Sequence, residues 1–226
     1  MDVKEEAILG PAIKDHWYYV SKGRALRMVL GREPVDEVLD VGAGSGVFTR
    51  QLMDAGLARR GICVDPDYGA DHVEKHNGCD IAFVRRVDEV PQKLILMMDV
   101  LEHVDDDSGL LKQYTDRMPP DARVLITVPA FQFLWSGHDV FLEHRRRYTL
   151  SQIEMIVRQA NLRILKGRYF FGAMFPVVMA VRLPDQLRLR VGTVESRSQL
   201  KLSSSFINST LIRIHDIERI ALFPIN

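Results

Sequence analysis

The residues with the clearest chemical potential lie in the segment Asp-Val-Gly-Ala-Gly-Ser-Gly at residues 40–46, which follows an apolar run. Glycine lets the backbone turn sharply and approach a ligand closely, because it has no Cβ. Dinucleotide sites require Gly-x-Gly-x-x-Gly, whereas this segment spaces its glycines differently and continues with Val47. Asp40 would repel a pyrophosphate and suits an ammonium group. Asp65 lies about 20 residues further on, where a carboxylate binds ribose hydroxyls. Together these features indicate S-adenosylmethionine rather than NAD.

A second group of reactive side chains lies at residues 138–148, after the fifth predicted strand. Loops at the carboxyl ends of strands carry function in parallel α/β proteins. His138 has the pKa of a general base and is followed by Asp139; a surface or helix-capping histidine is the alternative. His144 and the arginines at 145–147 suit an anionic group such as phosphate or carboxylate, or they form a solvated charged run. We predict His138, Asp139 and His144 as catalytic residues.

The elements that must position these residues alternate between strands and helices. Predicted strands cover residues 37–41, 61–64, 81–84, 93–98, 123–128 and 162–169. Predicted helices cover residues 47–55, 106–118, 150–161 and 206–222, and residues 68–76 are loosely helical. Thr149 or Ser151 is the predicted N-cap of the helix at 150–161. The alternation predicts an α/β fold with a doubly wound, mostly parallel sheet. A helical lid precedes this sheet and a helical extension follows it.

Taken in order, the motifs resemble those of class I S-adenosylmethionine-dependent methyltransferases. Residues 96–104 resemble the "D/E-V-L-E-H-V" signature of the branch that includes ubiquinone-biosynthesis O-methyltransferases. Residues 124–129 resemble the fifth strand of the family, and residues 16–19 with Arg24 resemble its N-terminal lid. The resemblance implies a Rossmann-like methyltransferase fold, transfer of a methyl group, and S-adenosylmethionine as the cofactor.

The resemblance also implies roles for individual residues. Asp40 is expected to reach the amino group of the cofactor, and Asp65 is expected to hold its ribose hydroxyls in charge-assisted hydrogen bonds. Gly42 and Gly44 are expected beneath the methionine part. The complete set of expected cofactor-binding residues is Arg24, Asp40, Gly42, Gly44, Asp65, Pro66, Met98 and Asp99.

Two positions leave alternatives open. Arg24 matches the place from which an arginine pairs with the methionine carboxylate, or it is a solvated helix residue. Relatives commonly carry Gly-Asp after the third strand, where this chain has Arg86 and Val87. Arginine offers no acceptor, so the adenine contact is expected from Asp88 or from the backbone.

A metal site is a further alternative. Asp99, Glu102 and His103 resemble an arrangement that binds a divalent ion in some relatives, including ubiquinone O-methyltransferases and small-RNA 2′-O-methyltransferases. Oxygen and imidazole ligands suit magnesium, manganese or zinc. Other relatives use these residues for packing and helix capping, and the predicted set of site residues includes no metal ligand.

Length and charge limit the class of protein. The 226 residues are enough for one domain with a buried core. We predict a single methyltransferase domain with a helical lid at 1–33, a cofactor-binding core at 34–170 and a C-terminal helical extension at 171–226. Lysine plus arginine equals aspartate plus glutamate at 30 each, so no global field favours nucleic acid. The family normally ends its sheet with a seventh, antiparallel strand. In this chain either the sheet is shorter, or an earlier segment or a partner chain fills that edge of the sheet.

The sequence predicts neither a signal peptide nor a membrane-spanning segment. The N-terminus has no apolar signal region, and the apolar stretch at 170–181 contains Pro176 and is too short to span a bilayer. Cys63 and Cys79 are predicted to be buried thiols, with one disulfide as the alternative. These features predict a cytoplasmic protein, with peripheral membrane contact and a homodimer left open.

The expected activity is methyl transfer to a hydroxyl of a small-molecule or lipid- or sugar-linked substrate, with an amine as the second choice. Aromatic residues within 131–135 would exclude water, and residues 170–189 would enclose an apolar substrate or form core or dimer contacts. Two other classes are a non-catalytic methyltransferase-like binding module and an NAD-dependent oxidoreductase. Val47 and Asp40 disfavour the oxidoreductase.

Overall fold

The computed structural model describes residues 3–190, residue 198 and residues 204–222. These residues form two compact units. The first unit lies within residues 1–100 and 112–127, and the second lies within residues 101–111 and 128–226.

The first unit follows the predicted alternation of strands and helices. Its elements are α1 (Val3–Leu9), a 3-10 turn (Gly10–Asp15), α2 (Trp17–Leu30), β1 (Val35–Val41), α3 (Val47–Asp54), β2 (Ala58–Val64), β3 (His72–His76), β4 (Cys79–Val84), β5 (Leu94–Met98) and β6 (Arg123–Thr127). Helix α4 (Asp107–Thr115) begins in the second unit and ends in the first.

The strands form one sheet in the order β3-β4-β2-β1-β5-β6. All neighbours run parallel except β3 and β4. The chain moves outward from β1 to β2 and β4, and then returns to β5 on the other side of β1. This reversal creates a topological switch point between β1 and β5, where open α/β sheets bind ligands beyond the carboxyl ends of their strands. The sheet and its helices confirm the predicted fold class.

The prediction of a loose helix at residues 68–76 is wrong. Residues His72–His76 form β3, which pairs antiparallel with β4. Asn77 and Gly78 connect the two strands with φ angles of 52° and 79°. Two successive left-handed residues of the type Asn-Gly make a tight hairpin turn whose twist matches the flanking strands. This short turn sequence fixes the segment as a strand.

The predicted strand at residues 162–169 is also absent, since the structure assigns no strand there. Leu165, Lys166 and Gly167 are exposed in succession, so the segment lacks the alternating buried face that a strand requires. Within the described residues the sheet has six strands, and β6 forms one edge. Its antiparallel strand, β3, comes from an earlier segment and pairs at the opposite edge. Residues 223–226 lie outside the described residues.

The second unit is built from helices and turns. Its elements are a 3-10 turn (Leu101–His103), another (Gln132–Leu134), α5 (Gly137–Phe141), α6 (Leu150–Gln159), a third turn (Gly172–Met174), α7 (Phe175–Arg190) and α8 (Ser205–Leu222). No helix among the described residues is long and apolar enough to cross a membrane.

Local capping defines the ends of these helices. Thr149 is the N-cap of α6, because its hydroxyl accepts a hydrogen bond from the Gln152 backbone N–H and Gln152 reciprocates. Asn161 follows the helix with a left-handed φ of 58°, a conformation common at helix C-termini. Glu218 on α8 accepts hydrogen bonds from the N–H groups of Gly172 and Ala173, at 2.6 and 3.1 Å. These bonds fasten the last helix to the rest of its own unit.

Candidate functional site

The glycine turn after β1 has a conformation that only glycine adopts easily. Gly42, Gly44 and Gly46 have φ angles of 64°, 51° and 70°. A Cβ on Gly42 would lie 2.7 Å from Cγ2 of Val100, closer than two carbon atoms can pack. Gly46 is the N-cap of α3. The turn therefore brings bare backbone to the switch point of the sheet and starts a helix there.

A cavity opens beside this turn, at the carboxyl ends of β1 and β5. It is lined by Glu5, Tyr18, Tyr19, Asp40, Gly42, Ala43, Phe48, Met98 and Asp99. Four of the predicted cofactor residues, Asp40, Gly42, Met98 and Asp99, are thus brought together. Three carboxylates face one small space, and acidic side chains in a cavity wall favour a ligand that carries positive charge.

Two of these carboxylates are oriented by hydroxyl groups. Thr49 donates a hydrogen bond of 2.9 Å to Oδ2 of Asp40, which is almost completely buried. Tyr19 donates a hydrogen bond of 2.5 Å to Oε2 of Glu5. Glu5 lies on α1, and the sequence analysis missed it because one glutamate in a charged N-terminal helix carries no distinguishing signal.

Asp99 has a more elaborate environment. Its Oδ2 forms an ion pair with the ammonium group of Lys22 and accepts a 2.9 Å hydrogen bond from Tyr18. Its Oδ1 accepts a 2.9 Å hydrogen bond from Thr127. Burial by itself would raise the pKa of Asp99, but Lys22 and the hydroxyl donors together lower it below its usual range. The carboxylate is therefore ionised, and Lys22 is a residue that sequence reasoning missed.

Asp65 is held against the glycine turn. Its two oxygens accept hydrogen bonds of 3.1 Å from the backbone N–H groups of Gly44 and Asp67. The carboxylate of Asp65 is buried and fixed at the carboxyl end of β2. Pro66 is exposed and Arg24 is half-buried on α2, and neither lines the cavity. Gly44 does not line the cavity either, but its backbone N–H contacts Asp65, another predicted cofactor-binding residue.

In the second unit, Asp139 is the centre of a buried polar cluster. Its Oδ1 contacts Nε of Arg147 at 2.7 Å and Nδ1 of His144 at 2.9 Å. Its Oδ2 accepts a 2.9 Å hydrogen bond from the Ser136 backbone and lies 3.7 Å from Arg182. Burial would raise the pKa of Asp139, but His144 and Arg147 lower it far below its usual range. Asp139 thus contacts the imidazole of His144, another of the predicted catalytic residues.

His138 has the opposite character. Burial and the nearby Arg182 lower the pKa of His138 to about 4, although Asp139 acts against this shift. The imidazole is therefore neutral at pH 7. A base with so low a pKa captures protons weakly, so His144 is the better candidate for proton removal.

The arginines at 145–147 are engaged inside their own unit. Arg145 contacts Asp105 at 2.7 Å, Arg146 contacts Asp107 at 3.2 Å, and Arg147 contacts Asp139. These contacts favour a structural role for the run over the binding of an external anion.

Three side chains in the second unit have the donors and spacing of a metal site. Ligand atoms of Glu102, His103 and His144 lie within 4.8 Å of one another. The rings of His103 and His144 meet edge to face at 4.8 Å. Asp139 contacts Nδ1 of His144, as outer carboxylates do for metal-bound histidines. Glu102 and His103 also belong to the possible metal site named from the sequence. The third residue of that site, Asp99, is instead paired with Lys22.

An aromatic cluster follows β6 in the sequence. Phe131 has a left-handed φ of 63°, a strained value for a bulky residue. Its ring lies 5.4 Å from Phe133, 4.8 Å from Tyr169 and 5.5 Å from Phe175, measured between ring centroids. Phe133 and Tyr169 are more than 40% exposed. The cluster presents aromatic surface to solvent.

Comparison with known proteins decides the family. A family model described as a methyltransferase domain matches residues 16–166. The chain belongs to this methyltransferase family. The match confirms the predicted enzyme class with S-adenosylmethionine as cofactor, and it decides against the NAD-dependent oxidoreductase. No curated protein sequence matches this methyltransferase.

Solved structures share the fold of this methyltransferase. An S-adenosylmethionine-dependent methyltransferase from Archaeoglobus fulgidus has a TM-score of 0.52 and 17% identity, covering 83% of this chain and 92% of that one. A putative methyltransferase from Haloferax volcanii, solved with the Trm112 activator, has a TM-score of 0.52 and 17% identity, covering 69% and 72%. Phosphoethanolamine N-methyltransferase 2 from Haemonchus contortus, solved with S-adenosyl-L-methionine, has a TM-score of 0.53 and 15% identity, covering 88% and 49%. At these identities the matches establish the Rossmann-like fold.

Proposed function

We propose that this methyltransferase transfers the methyl group of S-adenosylmethionine to a hydroxyl of a small-molecule acceptor, including lipid- or sugar-linked ones. The observation that carries the proposal is the acid-lined cavity at the switch point between β1 and β5, beside the glycine turn. S-adenosylmethionine carries an ammonium and a sulfonium group, and the negative charge of the cavity complements both.

We assign cofactor binding to residues of the cavity and to residues of the glycine turn and strand end beside it. Asp40 receives the amino group, and Gly42 and Gly44 leave room for the methionine chain because they have no Cβ. Asp65 takes the ribose hydroxyls, since Gly44 and Asp67 hold its carboxylate at a strand end. Charge-assisted hydrogen bonds of this kind contribute about 1.5–3 kcal/mol each.

Proton removal from the acceptor is the second requirement. The bound sulfonium supplies the activated methyl group, so the protein must orient the nucleophile and accept its proton. Asp139 contacts Nδ1 of His144 and so favours the tautomer whose Nε2 is basic. We assign the general-base role to His144, with Asp139 as its orienting residue. A hydroxyl needs such a base more than a neutral amine does.

The acceptor has apolar or aromatic character in this proposal. Phe131, Phe133, Tyr169 and Phe175 form the aromatic cluster of the second unit. Aromatic rings combine a large apolar area with preferred stacking geometry. The strained backbone at Phe131 fits a functional position, because such strain persists where surrounding structure enforces it.

Calorimetry and a transfer assay test the proposal. We expect the wild-type protein to bind S-adenosylmethionine and S-adenosylhomocysteine but not NADH. With labelled cofactor and matched panels of phenols, alcohols and amines, we expect methylation of a hydroxyl acceptor. His144→Ala should reduce turnover at least about 100-fold, the usual contribution of a general base, with cofactor affinity nearly unchanged. Binding of NADH, or methylation of amines alone, would overturn the assignment.

A further inference from the structure

We propose that Lys22 sets the charge of the cofactor cavity and thereby its preference between the sulfonium of S-adenosylmethionine and the neutral thioether of S-adenosylhomocysteine. This inference rests on the proposed cofactor site. It concerns a residue on α2, which the sequence motifs do not include.

The first step is the unusual burial of Lys22. Only 1% of its side chain is exposed, whereas lysine is almost never fully buried unless it is paired. Its ammonium group forms the ion pair with Asp99 and lies 3.3 Å from the Tyr18 hydroxyl. It also lies 5.3 Å from the ring centroid of Tyr18 and 5.6 Å from that of Phe48, within the range of cation–π attraction.

The second step is that the partners of Lys22 belong to the cavity itself. Tyr18, Phe48 and Asp99 all line it. Asp99 is fixed from the other side by Thr127, whose hydroxyl donates to Oδ1 and whose carbonyl accepts the Asp99 N–H at 2.9 Å. The backbone of Asp99 has a left-handed φ of 56°. Lys22 therefore joins α2 to the carboxyl edge of the sheet through a rigidly held carboxylate of the cavity wall.

The third step is the balance of charge. Asp99 is one of three carboxylates in the wall, and the Lys22 ammonium is its ion-pair partner. Removal of this ammonium makes the cavity more negative, and neutralisation of Asp99 makes it less negative. S-adenosylmethionine carries one more positive charge than S-adenosylhomocysteine, and that charge is on sulfur. The ratio of the two affinities consequently reports the charge of the wall.

The experiment compares Lys22→Met, Asp99→Asn and the double variant at pH 8. Calorimetry gives the ratio of the dissociation constants of S-adenosylhomocysteine and S-adenosylmethionine. Unit charges about 8 Å apart at an effective dielectric constant of about 20–40 change a binding constant about six- to thirty-fold. We expect the ratio to rise by that factor in Lys22→Met and to fall in Asp99→Asn. In the double variant we expect the ratio to return to near the wild-type value.

Two further variants serve as controls for the loss of charge at Lys22. Lys93→Met removes the same charge from an exposed ion pair with Asp121 in the same unit and should leave the ratio unchanged. Lys22→Arg keeps the charge and should keep the ratio, and it serves as the second variant where Lys22→Met unfolds. Equal weakening of both ligands in Lys22→Met, or a changed ratio in Lys22→Arg, would overturn the inference. Failure of the wild-type protein to bind either ligand would instead overturn the proposed function.

Discussion

Replacement of Gly42 by alanine tests the structural basis of the cofactor cavity. Alanine at a φ of 64° has to adopt a left-handed conformation, which costs an L-residue about 1–2 kcal/mol. Its Cβ would also lie 2.7 Å from Cγ2 of Val100, and overpacking of this kind typically costs about 1–3 kcal/mol. We expect Gly42→Ala to lower the free energy of unfolding by about 2–5 kcal/mol, the sum of the two effects.

Two comparison variants separate strain from overpacking. Gly56 has a φ of 68°, and a Cβ placed on it would meet no atom within 4 Å, so Gly56→Ala should cost only the strain of about 1–2 kcal/mol. Val100→Ala removes the atoms that would clash. In that background, the added cost of Gly42→Ala should fall to the value found at Gly56.

Urea unfolding followed by circular dichroism gives these free energies, provided that the slope with denaturant is unchanged. Calorimetry on the folded variants gives the affinity for S-adenosylmethionine, which should weaken in Gly42→Ala and stay near wild type in Gly56→Ala. A Gly42→Ala variant that loses no more stability than Gly56→Ala, or that loses as much in the Val100→Ala background, would exclude overpacking against Val100.

Three other perturbations have defined outcomes. His138→Gln should reduce the loss of stability at acid pH. Because the native pKa of His138 is about 4, the free energy of unfolding of the wild type falls as pH falls below about 6.5, by about 1–2 kcal/mol between pH 7 and pH 5. Asp65→Asn should weaken binding of S-adenosylmethionine by about 1.5–3 kcal/mol in calorimetry. Glu218→Gln should lower the free energy of unfolding by about 1–2 kcal/mol, because its oxygens accept two backbone N–H groups.

Each of these outcomes has a clear opposite. An unchanged loss of stability at acid pH in His138→Gln would mean that the imidazole is not held neutral by the fold. Equal affinity of Asp65→Asn and the wild type would remove Asp65 from the ribose site. Stability of Glu218→Gln equal to the wild type would show that α8 is fastened by other contacts.

The sheet was predictable wherever a local pattern fixes the conformation. Strand β5 is an apolar run of the buried parallel type, and the glycine turn after β1 requires left-handed residues. The two errors arose where the pattern was ambiguous. Residues 68–76 contain no strong period, and only the Asn-Gly turn after them favours a hairpin. Residues 162–169 have strand-forming residues, but the structure gives them no buried face.

The sequence-based prediction of the site rests on residues that lie close together in the chain. Asp40 lies in β1, Gly42 and Gly44 lie in the turn directly after it, and Asp65 follows the next strand. The contact between Asp139 and His144 was not predicted, because it depends on how the chain between α5 and α6 folds back toward the carboxylate. In a helix, successive side chains point in different directions, so neighbours in sequence seldom share a partner.

The sequence by itself determined the alternating α/β fold, the glycine turn and the identity of the acids around it, because backbone conformation and strand burial follow from local residue types. Only the tertiary structure decided which charges meet. Lys22 and Asp99 are separated by 77 positions, and their ion pair forms because the fold brings a residue of α2 to the residue that follows β5. The sequence shows which side chains are charged, but the partner of each charge depends on which distant elements the fold brings into contact.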